Sequence, residues 1–300
     1  MTTFLPAFRA VHTRSLAFAA ALPFAAAIPL VAEFVQHVVE MRVGMYAGVE
    51  AAQLAENDPD RILAGFFKTI ALGLPAYFLI RWLHSEGDRG FAVRLEKPAT
   101  ALFGLVIGLQ ALFAWLGLYV WTGGPIAIGF FVFGLIFMPL IVRFVVAAPL
   151  GTLISPLQSI RVMARDAVFA ILFPLAAMLP LMAVHYALGI GAIFVAGDAT
   201  KWVMLGLDSV VTAWLALVMI CAQYVIATRP APLPGGRSGN NRRIGPFSSH
   251  TQENRHEQDR TSCRPSPGAD AWRLRRTDRR QRHGRSRQRH HHRARCRCTR

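Results

Sequence analysis

Very few side chains in the first 228 residues of this sequence can do acid–base or ligand chemistry, and their spacing is the first clue to what they do. Glu33, His37 and Glu40 recur at i, i+4 and i+7 within an aliphatic run. On a helix this spacing places all three on one face. A carboxylate–imidazole–carboxylate face can hold a proton or offer ligands to a cation. Lys68, His185 and Asp208 stand singly inside other apolar runs, and Gln110 adds a neutral amide to a further one. Glu33, His37, Lys68, His185 and Asp208 are the candidate site, an ion-paired polar cluster with Lys68 held by Asp208 or by Glu33. The shared depth of Lys68 and Asp208, each a few residues inside its apolar run, favours Asp208. Such a cluster can bind a headgroup, a cation or a proton. The competing reading has each group reaching out to water from a helix end. Metal sites in helix bundles take ligands from facing helices. No second helix here repeats the Glu33/His37 pattern, so no resident metal is expected.

The elements that must position these groups are membrane helices. A spanning helix needs about 20 mostly apolar residues. Runs of that length cover residues 16–39, 62–80, 100–121, 125–142, 167–190 and 202–227. They are apolar on every face, which excludes the alternating pattern of a membrane barrel. The expected fold is therefore all-α, a polytopic membrane bundle of about six transmembrane helices. The stretch over 144–157 is apolar but broken by Pro149, Gly151 and Pro156. It is either a re-entrant or interfacial segment or the continuation of a long, tilted fourth helix. Gly104 and Gly108 permit close approach of another helix.

Charge gives the expected orientation. Gaps rich in Lys and Arg alternate with poor ones, and ten such residues against three mark the rich side. Basic loops stay in the cytoplasm. Both termini are then cytoplasmic in a bacterial inner membrane, and the acidic segment around Glu50, Glu56, Asp58 and Asp60 lies outside. The first apolar run follows Arg9 and Arg14 like a signal peptide, but it exceeds the usual h-region of about 7–15 residues. It is read as a retained helix.

The chain changes character at residue 229. Residues 1–228 are nearly neutral, while 229–300 hold 20 Arg, no Lys and most of the net charge of +16. With almost no aliphatic residues, 229–300 is expected to be a disordered tail. Three readings stay open for it. It is a basic arm for phosphate-bearing partners, a metal-binding tract through His290, His291, His292, Cys296 and Cys298, or a GC-rich gene read out of frame. The out-of-frame reading accounts best for arginine without lysine. Base-stacking aromatics are scarce, so nucleic acid is not an expected partner.

No phosphate-cradling glycine loop, nucleophile elbow or His-Glu-x-x-His motif is present. The gaps between spans are too short for a soluble catalytic domain. No cofactor and no catalytic residue are expected. The composition points to a non-enzymatic inner-membrane protein, an accessory or scaffold subunit whose partners are the bilayer and another membrane protein. The alternative is a small transporter or lipid-handling protein that uses the polar cluster.

Residues 142–228 carry a resemblance. Pro149, then Ser155-Pro156-Leu157-Gln158-Ser159-Ile160-Arg161, a basic turn and two long helices ending at Tyr224 are similar to six-helix bacterial inner-membrane proteins. Some of these resemble the membrane domain attached to certain glycerophosphodiester phosphodiesterases. The resemblance implies a helical membrane domain. It implies no phosphodiesterase activity, because the soluble catalytic domain has no counterpart here.

Overall fold

The computed structural model describes residues 4–229, which are helical with no strand. The expected tail over 230–300 lies outside the described residues. The chain opens with α1 (Phe4–Ala21) and α2 (Pro23–Arg42). They are separated at Leu22, whose φ of −134° and ψ of 66° leave the helical region. Proline disfavours helical geometry in the residue before it, and Pro23 supplies that constraint. The first span therefore covers 23–42 rather than 16–39. α1 is a separate element that buries one face through Ala7, Val11, Ser15 and Phe18.

A single 3-10 turn and α3 (Val49–Ala55) occupy the acidic connection. The second span joins α4 (Pro59–Gly73) to α5 (Pro75–His84). Asp58 starts it by accepting the backbone N–H groups of Asp60 and Arg61, which satisfies donors that a helix start leaves free. After α6 (Arg89–Val93), the third span runs through α7 (Lys97–Trp115) and ends in a π-helical turn. The fourth comprises α8 (Gly124–Leu140) and α9 (Val142–Ala147). Then come α10 (Pro156–Met163), α11 (Ala167–Phe194) and α12 (Asp198–Thr228).

Five of these segments are long and apolar enough to cross a membrane, and the bent pair starting with α8 makes a sixth. That pair excludes one straight, tilted helix through 144–150 and is either a broken span or a re-entrant segment. The chain bends by 56° between 124–140 and 142–150 instead of continuing as one tilted helix. The bend at Ile141 is held from α10, where the Ser159 hydroxyl donates to the Leu140 carbonyl at 2.8 Å and accepts the Arg143 N–H at 3.2 Å; the far end of the bent segment is held from α5. Arg81 on α5 donates from Nη1 to the Pro149 carbonyl at 3.1 Å. Gly151 then reverses the chain at φ +71°, a conformation that costs little without a Cβ.

α12 is the axis of the bundle, packing on α11, α2, α1 and α5. Its buried face includes Ser209, Thr212, Ala213, Ala216 and Ala222. Small residues let helix backbones approach where lipid gives no hydrophobic drive for association. Trp214 adds a cross-helix bond by donating from Nε1 to Ser15 Oγ at 3.1 Å. By contrast, Gly104 and Gly108 on α7 face open space, and the close approach their spacing permits is not used among the described residues. α8 contributes no buried residue.

Candidate functional site

Four helices bring the predicted polar residues together at one end of the bundle, beside the 43–48 turn. α2 supplies Glu33, His37 and Glu40 from one face, as the spacing requires. α4 supplies Lys68, α11 supplies His185 and α12 supplies Asp208. The central side chains are out of solvent, with 1% of Glu33, 4% of His37 and 1% of Asp208 exposed. Lys68, Arg61 and His185 form a half-buried rim, each about a fifth to a quarter exposed.

His37 is the hub. Its Nε2 is 3.1 Å from Asp208 Oδ2 and 3.5 Å from Glu33 Oε1. Its Nδ1 is 2.9 Å from Glu40 Oε2. An imidazole between carboxylates on both sides cannot satisfy them with one N–H. Protonated on both nitrogens, His37 donates to both sides; with only Nδ1 protonated toward Glu40, the Nε2 lone pair faces two acidic oxygens, and a bound cation would take the place of the second proton.

The Glu40 side is heavily supported. Tyr46 donates its hydroxyl to Glu40 Oε2 at 2.7 Å, and Gln36 donates to Oε1 at 2.8 Å. Arg61 Nε stands 3.3 Å from the same Oε1. Burial, with Glu40 beside it, pushes the Tyr46 phenol above its ordinary range, so it stays a donor. Lys201 holds the turn that carries Tyr46, donating to the Tyr46 carbonyl at 2.7 Å.

The other side is more sparsely held. Lys68 Nζ lies 3.1 Å from Glu33 Oε2. Oε2 is buried yet accepts no hydrogen bond of good geometry. His185 Nδ1 is 2.7 Å from Asp208 Oδ1 and 3.1 Å from Thr212 Oγ1. Lys68 is therefore paired with Glu33, and the pairing with Asp208 favoured by depth is not formed. Asp208 is engaged by the two histidines instead.

Gln110 is not in the cluster. It donates to the Thr69 carbonyl at 2.6 Å and lines an apolar cavity of about 400 Å³ with Gly73, Phe103, Phe137, Met219 and Gln223. Four members of the cluster were not singled out from sequence: Gln36, Tyr46, Arg61 and Thr212. Gln36 carried a usable signal, since it precedes Glu40 by one helical turn. In the sequence Arg61 is one of the few basic residues between the first two apolar runs, with no sign of a buried partner.

A second buried charge, also missed, sits at the opposite end. Arg81 is fully buried on α5. Besides Pro149, it donates from Nε to the Phe91 carbonyl at 3.1 Å, and its Nη2 is 3.4 Å from Glu96 Oε1. Its guanidinium carbon lies 4.2 Å from the centroid of the Phe91 ring.

No protein family, curated protein or solved structure matches this chain.

Proposed function

We propose that the chain is a non-enzymatic multi-pass protein of the bacterial inner membrane, with an accessory or scaffold role, whose buried cluster locks α2, α4, α11 and α12 together. The observation that carries this reading is the internal pairing of the cluster. Glu33, Glu40 and Asp208 each meet a cationic or histidine side chain within the bundle. Charged groups inside a membrane bundle are costly unless paired, and here the pairs run between helices.

The asymmetry of ten basic residues against three supports cytoplasmic termini, with the cluster at the periplasmic end. Alkaline phosphatase fused after Glu56 should be active and after Lys97 inactive. The reverse pattern rejects this orientation. The lock itself is tested by thermal unfolding in detergent of a triple variant, Glu33→Gln, His37→Gln and Asp208→Asn. A marked fall in midpoint is expected. An unchanged midpoint would show that the cluster is not architectural.

The cavity beside Gln110 and Gln223 favours a second reading, lipid handling, because an apolar space with two amides suits an acyl chain near its polar end. Native mass spectrometry retaining one lipid per chain, lost on Val106→Phe, would support it over the scaffold.

A further inference from the structure

We infer that Glu33, His37 and Asp208 form a binding site for a divalent transition-metal ion of the zinc class, with Glu40 orienting the histidine ligand. The inference goes beyond the helix lock, since the lock works with or without a metal.

Three observations converge. First, one ligand atom from each residue lies within 4.8 Å of the others, and all three residues are buried. The two spacings at His37 Nε2 are 3.1 and 3.5 Å. Donor atoms about 2.0–2.2 Å from a tetrahedral zinc ion stand roughly 3.3–3.6 Å apart, close to both spacings at His37. Second, the far nitrogen of His37 already has the partner a metal-bound histidine requires. Its Nδ1 meets Glu40 at 2.9 Å, and Tyr46 and Gln36 hold that carboxylate by hydrogen bonds. A carboxylate on the outer ring nitrogen sets the tautomer and aims the Nε2 lone pair at the ion. Third, two buried carboxylates, Asp208 and Glu33, meet at the Nε2 face, and the half-buried ammonium of Lys68, 3.1 Å from Glu33 Oε2 and donating to Oε1 at 3.3 Å, answers Glu33 alone.

The chemical class follows from the donors. One imidazole with two carboxylates suits zinc, iron, manganese or nickel better than magnesium or calcium, which prefer oxygen alone. Lys68 is the built-in competitor. Its ammonium, 3.1 Å from Glu33, partly neutralises a ligand that the metal would otherwise use.

The test is zinc titration of the full-length chain in detergent after chelation. Because residues 290–298 include further histidines and cysteines, the readout is the difference between wild type and His37→Gln. One equivalent of zinc should disappear from the variant. Glu40→Gln should weaken that equivalent about 10–100-fold, the usual effect of removing an orienting partner. Lys68→Met should bind it more tightly, a gain that no merely structural role predicts. X-ray absorption of the wild type loaded with one equivalent should show one imidazole, carboxylate oxygens and no sulfur. That measurement stands even where a variant fails to fold. Equal zinc uptake by wild type and His37→Gln, or sulfur around the ion at one equivalent, overturns the proposal. Cluster variants that lose stability while zinc uptake is unchanged would remove the metal and leave the helix lock intact.

Discussion

Arg81 and the His37 cluster both hold full charge away from water, at opposite ends of the same bundle, yet they are built differently. Arg81 is a single cation whose planar fork is shared among two backbone carbonyls, one carboxylate and an aromatic face. Backbone carbonyls have no other state, so the Arg81 site has one stable arrangement. The cluster has three carboxylates, two histidines and two long flexible cations. Its groups can exchange protons and partners. A guanidinium in a cage of carbonyls is suited to fixing a bend, whereas an imidazole among carboxylates is suited to accepting a cation. Both sites tie helices together, but only the cluster has groups that can change partners.

The largest effect should come from Arg81. Arg81→Met removes two charge-assisted bonds to carbonyls and uncouples α5 from the 148–151 turn. Unfolding in detergent should show a loss of about 3–5 kcal/mol. A loss no greater than that of Asp208→Asn would erase the contrast between the two ends. Asp208→Asn strips both histidines of their shared anion, and the expected cost is about 1.5–3 kcal/mol, the range for hydrogen bonds to charged groups.

Much of this contrast could not be read from sequence, and the reasons are geometric. The spans follow from length and hydropathy, and the Glu33–His37–Glu40 face follows from helical periodicity. His185 and Asp208 complete that face from 148 and 171 positions further along the chain than His37, and no local pattern announces it. Lys68 illustrates the limit well. Its depth matched that of Asp208, but depth does not specify which way a helix is rotated. The rotation of α4 turns Lys68 toward Glu33. Arg81 looked like an ordinary topology-setting cation, because nothing in the sequence reveals that the 148–151 turn folds back over it. Leu22 was a missed signal of another kind, since the residue before Pro23 was a foreseeable break.

A smaller effect tests the pairing of Lys68. Two double-mutant cycles separate its possible partners. Lys68→Met combined with Glu33→Gln should show a coupling of about 0.5–3 kcal/mol, as contacting residues do. Lys68→Met combined with Asp208→Asn should come out near additive. Strong coupling in the second cycle alone would mean that Lys68 turns to Asp208 in the membrane, and the Glu33 side of the cluster would then be free.

The smallest effect belongs to Tyr46, and it bears on the boundary between support and site. Tyr46 donates to Glu40 at 2.7 Å from a turn outside the spans. Tyr46→Phe keeps the ring and deletes only the hydroxyl. Glu40 retains Gln36, Arg61 and His37, so the carboxylate stays satisfied. Stability should therefore fall by no more than about 0.5–1.5 kcal/mol, the net worth of one hydrogen bond. The same substitution should be felt more by His37, because Glu40 then holds its Nδ1 less firmly. Metal affinity would drop while the unfolding midpoint barely moves. If instead the midpoint falls as far as it does for Arg81→Met, the turn carrying Tyr46 is part of the architecture. The cluster would then be a second rigid node like that around Arg81, and the contrast between the two ends would fail.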